Sequence, residues 1–383
     1  MFCSWLLLCL FSVVALFICS KSKNKAATQT STMLSPGAVK PATPTANDVK
    51  AKDKSKEASN KNLTKVRVRP IDSKTILIYF ALTLIPLIKT VFPWALFEKG
   101  PFEPTDVKEE ISTHIKFVNE PTLPDTVDVL VTVNSQIQEY ALRNEIRASW
   151  ANSSNFDPTL TTVIFVLGRP SSNDESQLLK KENEKHGDLL ILDVEEGYYS
   201  LSLKTYGMLY YKSERLPGTK CLIKADSDNV LHLFHYEVLC EETKAPLIMG
   251  RCDIDRRVKR YNSKWAIPFN LYKAEHFPRY CSTGTYVFCG KNIPKDIMKA
   301  AKKTEFFTSV NYRRLPEDVL FTGIFAEIAG IRRKNVGGIS FRDQPDYPCR
   351  DVKFTLSIHM HRRKNPIYYY RKMNSLVGTT CLI

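Results

Sequence analysis

Two carboxylates stand two residues apart where an apolar run ends, in CLIKADSDNV from Cys221 to Val230. The run itself has the character of a core strand, so Asp226 and Asp228 emerge at its carboxyl end. Carboxylates paired in that position suit a hard divalent cation that holds a diphosphate. Asp and Ser also build ordinary turns, so the alternative is a solvated turn. The choice depends on the elements around the pair.

Those elements alternate. VDVLVTV (Val127 to Val133), TTVIFVLG (Thr161 to Gly168), DLLILDV (Asp188 to Val194) and CLIKAD (Cys221 to Asp226) are continuous apolar runs, as strands covered on both faces should be. Between them lie EYALRNEIRASW (Glu139 to Trp150), ESQLLKKENEKHG (Glu175 to Gly187) and LSLKTYGMLYYKSERL (Leu201 to Leu216), with helical content and, in the second, a Gly where a helix should stop. Strand and helix in alternation predict an α/β fold, a mostly parallel sheet with helices on both faces. Ligands of such sheets bind beyond the carboxyl ends of the strands, where Asp226 and Asp228 fall.

The chain has 383 residues, a net charge of +15, and 43% apolar and 11% aromatic residues, enough for a sizeable core. Its basicity is concentrated. Residues 21–74 carry 13 Lys and Arg against 4 Asp and Glu in a Lys-, Ala-, Ser-, Thr- and Pro-rich tract with no aromatics, the composition of a disordered tail. With no interleaved aromatic and basic patch and no nucleic-acid motif, the charge does not point to nucleic acid.

Apolar stretches flank that tail, Phe2 to Cys19 and Thr75 to Phe97. The second, broken by Pro86, Lys89 and Pro93, can span a membrane if Lys89 snorkels, and Lys65, Arg67, Arg69 and Lys74 before it favour a cytosolic tail with everything after Phe97 in the lumen. A core segment of the globular domain is the alternative. The expected layout is an apolar segment at 1–20 (an extra span or a signal peptide), a cytosolic tail at 21–74, a transmembrane anchor at 75–97, a stem at 98–124 and a lumenal domain at 125–383. Seven Cys after the anchor, none in a CxxC zinc pattern, suit disulfides with one left over.

Six motifs in order carry a resemblance: RNEIRASW (Arg143 to Trp150), FVLG (Phe165 to Gly168), HGDLLILDVEEGYYSLSLKT (His186 to Thr205), KADSD (Lys224 to Asp228), FPRYCSTGTYV (Phe277 to Val287) and EDVLFTG (Glu317 to Gly323). From about Asp125 to Asn374 the chain resembles the β1,3-galactosyltransferases of glycosyltransferase family 31. The resemblance implies a GT-A fold, a Golgi type II membrane protein, and transfer of galactose or N-acetylhexosamine from a UDP-sugar to a glycan hydroxyl, with inversion and usually β1,3.

It also implies roles. Asp226 and Asp228 match the acidic metal-binding motif, with Ser227 in place of its middle Asp, and His359 falls where the family has a His near the metal; Mn²⁺ is the cofactor implied. His361 is an alternative to His359, and a surface histidine is the plain reading of either. Asp318 matches the carboxylate that deprotonates the acceptor, although Glu317 and Asp318 would also suit a helix start after Pro316. Arg143 and Arg147, four apart, would share one helix face toward uracil or phosphate, or toward solvent. Lys204 matches a position near the nucleotide, Glu317 is assigned to the substrate side, and Trp265 suits stacking on a sugar or a place in the core. CSTGT (Cys281 to Thr285) departs from the family's CSGTG, putting bulk where bare backbone lines the acceptor pocket. That change and Ser227 are the only support for a second class of function, a catalytically silent glycan-binding or chaperone-like membrane protein.

Overall fold

The computed structural model describes residues 102–375 except 104, 253, 262, 342–354 and 362–364. Both apolar stretches, the basic tail, Cys349 and Cys381 lie outside these residues. Among the described residues no helix is long and apolar enough to cross a membrane.

The strands are β1 (Phe117–Asn119), β2 (Val129–Asn134), β3 (Thr161–Arg169), β4 (Leu189–Glu195), β5 (Cys221–Asp226), β6 (Asn229–Leu231), β7 (Leu247–Arg251), β8 (Ser282–Cys289), β9 (Arg333–Asn335), β10 (Ile339–Ser340) and β11 (Ser357–His359). Eight form one sheet in the order β1-β4-β3-β2-β5-β8-β7-β9, and β10-β11-β6 form a small second sheet. β4, β3, β2 and β5 run parallel, as their apolar runs led one to expect. β1 and β8 run against their neighbours. β8 begins inside the FPRYCSTGTYV motif and had no strand assigned to it from sequence.

The helices are α1 (Tyr140–Arg147), α2 (Asn173–His186), α3 (Leu201–Arg215), α4 (Leu233–Glu242), α5 (Ile293–Ala301), α6 (Val310–Arg313), α7 (Phe325–Ile328) and α8 (Pro366–Asn374). Ser172 caps α2, accepting from the Glu175 amide at 3.2 Å, and Gly187 ends it at φ 66°, a left-handed conformation that costs glycine nothing. Alternation along the strands divides the apolar residues between two cores. Val129, Val131, Val133, Ile223 and Ala225 pack with α1, α2 and α4 on one face, while Leu130, Leu222, Tyr286 and Phe288 pack with α3, α5 and the segment Val319–Ala326 on the other. Each face being covered, the central strands could be apolar throughout.

The expected stem at 98–124 is corrected in its described part. β1 pairs with β4, Lys108 bridges to Ser309, and the Asp106 carboxylate accepts from the Asn311 amide at 3.0 Å, so these residues belong to the folded domain. The cysteines pair as Cys221–Cys240 and Cys252–Cys281, while Cys289 stays a buried thiol whose pKa burial raises.

Candidate active site at the carboxyl edge of the sheet

β2 and β5 lie side by side in parallel register, with Asn134 opposite Asp226. Period-two alternation puts Leu222, Lys224 and Asp226 on one face of β5. A Lys at 224 is therefore buried in the core beside the α3 side of the sheet, and it must be paired to stay charged. It is. Its ammonium lies 2.7 Å from Asp226 Oδ1 and 3.3 Å from Glu317 Oε2, and although burial opposes the charge, the two carboxylates raise its pKa well above that of a free lysine.

Glu317 is closed in by its partners. Oε1 accepts from Thr205 Oγ1 at 2.7 Å and from the Tyr286 hydroxyl, and Oε2 faces Lys224. Glu317 is a buried counter-ion that fixes Lys224 and Tyr286, and it also lines the cleft beside Trp265. Asp318, the next residue, is only half-buried. Its carboxylate accepts from the Val319 amide at 2.9 Å, capping a π-helical turn, Val319–Ile324, that runs into α7. Thr322 holds this turn, donating from Oγ1 to the Asp318 carbonyl at 2.6 Å and accepting from the Cys281 amide at 2.8 Å. Burial, and then the neighbouring Glu317 charge, push the Asp318 pKa up to about 7, against the opposing pull of Lys224. A carboxyl poised there can take a proton near neutral pH.

Asp226 and Asp228 flank the turn from β5 to β6. Asp228 Oδ2 lies 3.4 Å from His359 Nε2, brought in because β11 pairs with β6 and places His359 opposite Asn229. Asn229 Nδ2 donates to Asp228 Oδ1 at 3.2 Å. Among the described residues no three His, Cys, Asp or Glu gather closely enough to hold a metal ion, and Asp226 is paired with Lys224. Asp228 and His359 remain as a carboxylate and an imidazole side by side, a donor set that fits Mn²⁺ with further positions left for phosphate oxygens or water. His361 stands behind His359, its Nε2 3.2 Å from His359 Nδ1 and also against the Phe341 carbonyl. Ser227 does not face this pair; its hydroxyl donates to Glu139 Oε2 at 2.8 Å, so the loss of the middle Asp removes no ligand.

β8 closes the site from its other side. Thr283 at φ 81° and Gly284 at φ 74° bulge out of the strand, and a Cβ on Gly284 would stand 2.6 Å from Asp226 Oδ2. The bare backbone that CSTGT was expected to lose is present, one position along, and a β-branched Thr bears the left-handed strain beside it. The hydroxyls of Thr283 and Thr285, the amide of Asn134 and Oδ1 of Asn229 are buried without a partner among the described residues. Polar atoms orphaned around Asp226 fit a site that takes up a polar ligand or water.

Lys204 sits at the same edge, donating to the Ser135 carbonyl at 2.7 Å and pairing with Glu196 at 3.0 Å. Trp265 is half-exposed and lines a small cleft with Tyr198, Tyr199, Lys264 and Glu317, which makes it a surface platform and not a core residue. Burial raises the Tyr198 pKa, and the Asp318 and Asp226 charges add to it.

Arg143 and Arg147 are corrected as ligand contacts. Arg143 is fully buried and spends its guanidinium on Glu182, at 2.6 and 2.8 Å, on Ser135 Oγ and on the Gln136 and Ile137 carbonyls. Arg147 pairs with Glu182 and Asp188 over the Phe165 ring. They do share a face, but it packs on α2. Lys224, Tyr198, Asn134 and Gly284 were missed from sequence; a Lys inside an apolar strand was the one available signal, since a buried ammonium needs a carboxylate beside it.

Comparison with known proteins shows the family. The family model described as galactosyltransferase matches residues 141–337, over half of the chain and including Asp226, Asp228, Trp265 and Asp318. The chain is 24% identical over 283 residues to beta-1,3-galactosyltransferase bre-2 of Caenorhabditis elegans, covering 71% of this chain and 76% of that one. It is 24% identical over 321 residues to beta-1,3-galactosyltransferase 5 of Homo sapiens, covering 80% and 97%. Among solved structures, WbbM bifunctional glycosyltransferase matches at 13% identity and a TM-score of 0.37 over 68% of this chain and 51% of that one, too distant to bear on the site. By the extent of that family match, the chain belongs to the galactosyltransferase family and is a glycosyltransferase.

Proposed function

We propose that this enzyme is an inverting, Mn²⁺-dependent hexosyltransferase of GT-A fold that moves galactose or an N-acetylhexosamine from a UDP-sugar to a glycan hydroxyl, forming a β1,3 linkage. The observation that carries the reading is a convergence at the carboxyl edge of the sheet. Asp228 meets His359 there, and Lys224 ties Asp226 to Glu317, the residue before Asp318.

Asp228 and His359 would hold Mn²⁺, which when bound neutralises charge developing on the UDP leaving group. Lys224 fixes Asp226 against the bulge at Gly284 and so holds the floor of the donor site. Asp318 Oδ accepts the acceptor hydroxyl's proton as that oxygen attacks the sugar from the face opposite UDP. Trp265 and Tyr198 offer ring faces on which the acceptor sugar stacks. With Ser227 turned toward Glu139 and Gly284 supplying bare backbone, the silent-binder alternative keeps no observation of its own.

The basic cluster before the second apolar stretch supports a type II orientation, and the family resemblance a Golgi location. UDP release decides the reading. Metal-stripped protein incubated with a panel of UDP-sugars should release UDP only when Mn²⁺ is restored, and mass spectrometry of the product names the sugar. Turnover unchanged by EDTA would overturn the metal assignment, and no UDP release from any donor would overturn the activity.

A further inference from the structure

Between β7 and β8 the chain leaves the sheet for a long excursion that the Cys252–Cys281 disulfide closes at its base. Between those cysteines stand seven Lys and Arg against three Asp and Glu. The loop is held from within. The Arg260 guanidinium donates to the carbonyls of Ile267 at 3.0 Å, Tyr272 at 2.8 Å and Ala274 at 2.6 Å, and backbone bonds tie Val258 to Glu275 and Phe277 to Arg256.

This framework presents Trp265 at the mouth of the cleft together with two ammonium groups. Lys264 Nζ lies 4.6 Å from the Trp265 ring centroid and 5.3 Å from that of Tyr198, and Lys259 Nζ lies 5.0 Å from the same indole. Both lysines are exposed, and neither forms an ion pair with any described residue. Two like charges gathered on one indole repel each other, while each ring attraction at an exposed site is weak. An anion shared between them would relieve that repulsion, and a flexible ammonium suits a point-charge contact. The indole beside them takes the apolar face of a sugar ring. A stacked sugar that carries an acidic substituent satisfies both features at once.

We propose that Lys259 and Lys264 bind a carboxylate or sulfate on an acceptor saccharide stacked on Trp265, so that the enzyme prefers acidic acceptors. The proposal rests on glycosyl transfer at the Asp318 site. Asp318 would itself repel an acid, so the anionic group belongs on the part of the acceptor over Trp265 and not next to the reacting hydroxyl.

The test uses full-length protein in detergent with Mn²⁺ and three acceptor disaccharides that differ only in the non-reacting residue: a neutral hexose, its 6-O-sulfate and the matching uronic acid. KM for the sulfated or the uronic acceptor should be roughly tenfold below that for the neutral one, the order of a charge-assisted hydrogen bond. The gap should shrink in about 0.5 M salt, where the Debye length falls to a few ångströms. In Lys259→Gln/Lys264→Gln the ratio should fall toward one, and in Lys259→Arg/Lys264→Arg it should persist. Equal KM for all three in the wild type, or a preference that survives in the Gln pair, overturns the proposal. Release of UDP from the donor without acceptor separates the two questions: if it occurs while the acceptors are indistinguishable, acceptor recognition alone is wrong, and if no donor is turned over, glycosyl transfer itself is wrong.

Discussion

The Lys224 ammonium lies 2.7 Å from Asp226 Oδ1, inside a strand whose neighbours are apolar. Its second partner, Glu317, belongs to the segment that carries Asp318, so one buried cation ties the end of β5 to that segment. Removing one member of a buried ionic set leaves the others unpaired, which costs about 3–5 kcal/mol. Lys224→Met should therefore lower the urea midpoint markedly and lower the affinity for UDP with Mn²⁺ in the protein that remains folded. A variant of wild-type stability and UDP affinity would show that the pair holds nothing in place.

Arg143 and Arg147 separate packing from ligand binding. Arg143→Ala leaves Glu182 buried beside an empty space and should cost about 3–5 kcal/mol in equilibrium unfolding. UDP affinity of the folded protein should change little. Burial alone would raise the Glu182 pKa, but hydrogen bonds from Arg143 and Arg147 more than offset it and leave it lowered. A carboxylate with a depressed native pKa contributes stability above its unfolded value and loses it as pH falls through the native one. The wild type should accordingly lose this contribution below about pH 4, whereas Glu182→Gln should show a flatter acid limb.

At the metal pair, Asp228→Ala and His359→Ala should each weaken Mn²⁺ binding measured by calorimetry in the presence of UDP, with stability near wild type because both side chains are partly exposed. Second-ligand loss from a two-residue donor set should cost at least about tenfold in affinity. His361→Ala should have a much smaller effect. Equal losses at 359 and 361 would mean that the ring nearer Asp228 is not the ligand.

Topology can be read from glycan occupancy. Asn152 is exposed in a turn, with its side chain accepting from Ser154, within the sequon Asn152-Ser153-Ser154. In a type II orientation Asn152 carries glycan and Asn62, in the tail, does not. Mass spectrometry showing glycan on Asn62 would reverse the orientation.

The central strands and the first three helices were legible because each announces itself locally. Cys221–Asp226, apolar but for Lys224 and its closing Asp, was bounded correctly, and Gly187 stops α2 where a left-handed residue is needed. The site was legible in part. The residues flanking the turn after β5 are where their order placed them, yet Arg143 and Arg147, with ideal helical spacing, turned out to face α2, since spacing specifies a shared face and not what covers it. Glu317 and Asp318 are adjacent in sequence and differ in their surroundings, one hydrogen-bonded by Thr205, Tyr286 and Lys224 and one half-buried at the start of the π-helical turn. Nothing local distinguishes them. The partners come from α3, β5 and β8, and only the tertiary fold brings those together.

Asp318→Asn tests the base most directly. Asn caps a helix about as well as Asp, so the fold should hold. The native pKa near 7 exceeds the ordinary 3.8, so ionising Asp318 costs the native state as pH rises from about 4 to 7. The Asn variant, free of that cost, should be as stable as the wild type near pH 4 and at least as stable above pH 7. In the wild type, kcat/KM should fall about tenfold per pH unit below about 7, as the base becomes protonated. The deciding measurement is single-turnover transfer at pH 8 with saturating donor and Mn²⁺, beside the Kd for UDP. A rate lower by about 10² to 10⁴ with unchanged Kd is the expected result, and a rate within a few-fold of wild type would show that Asp318 only caps its helix.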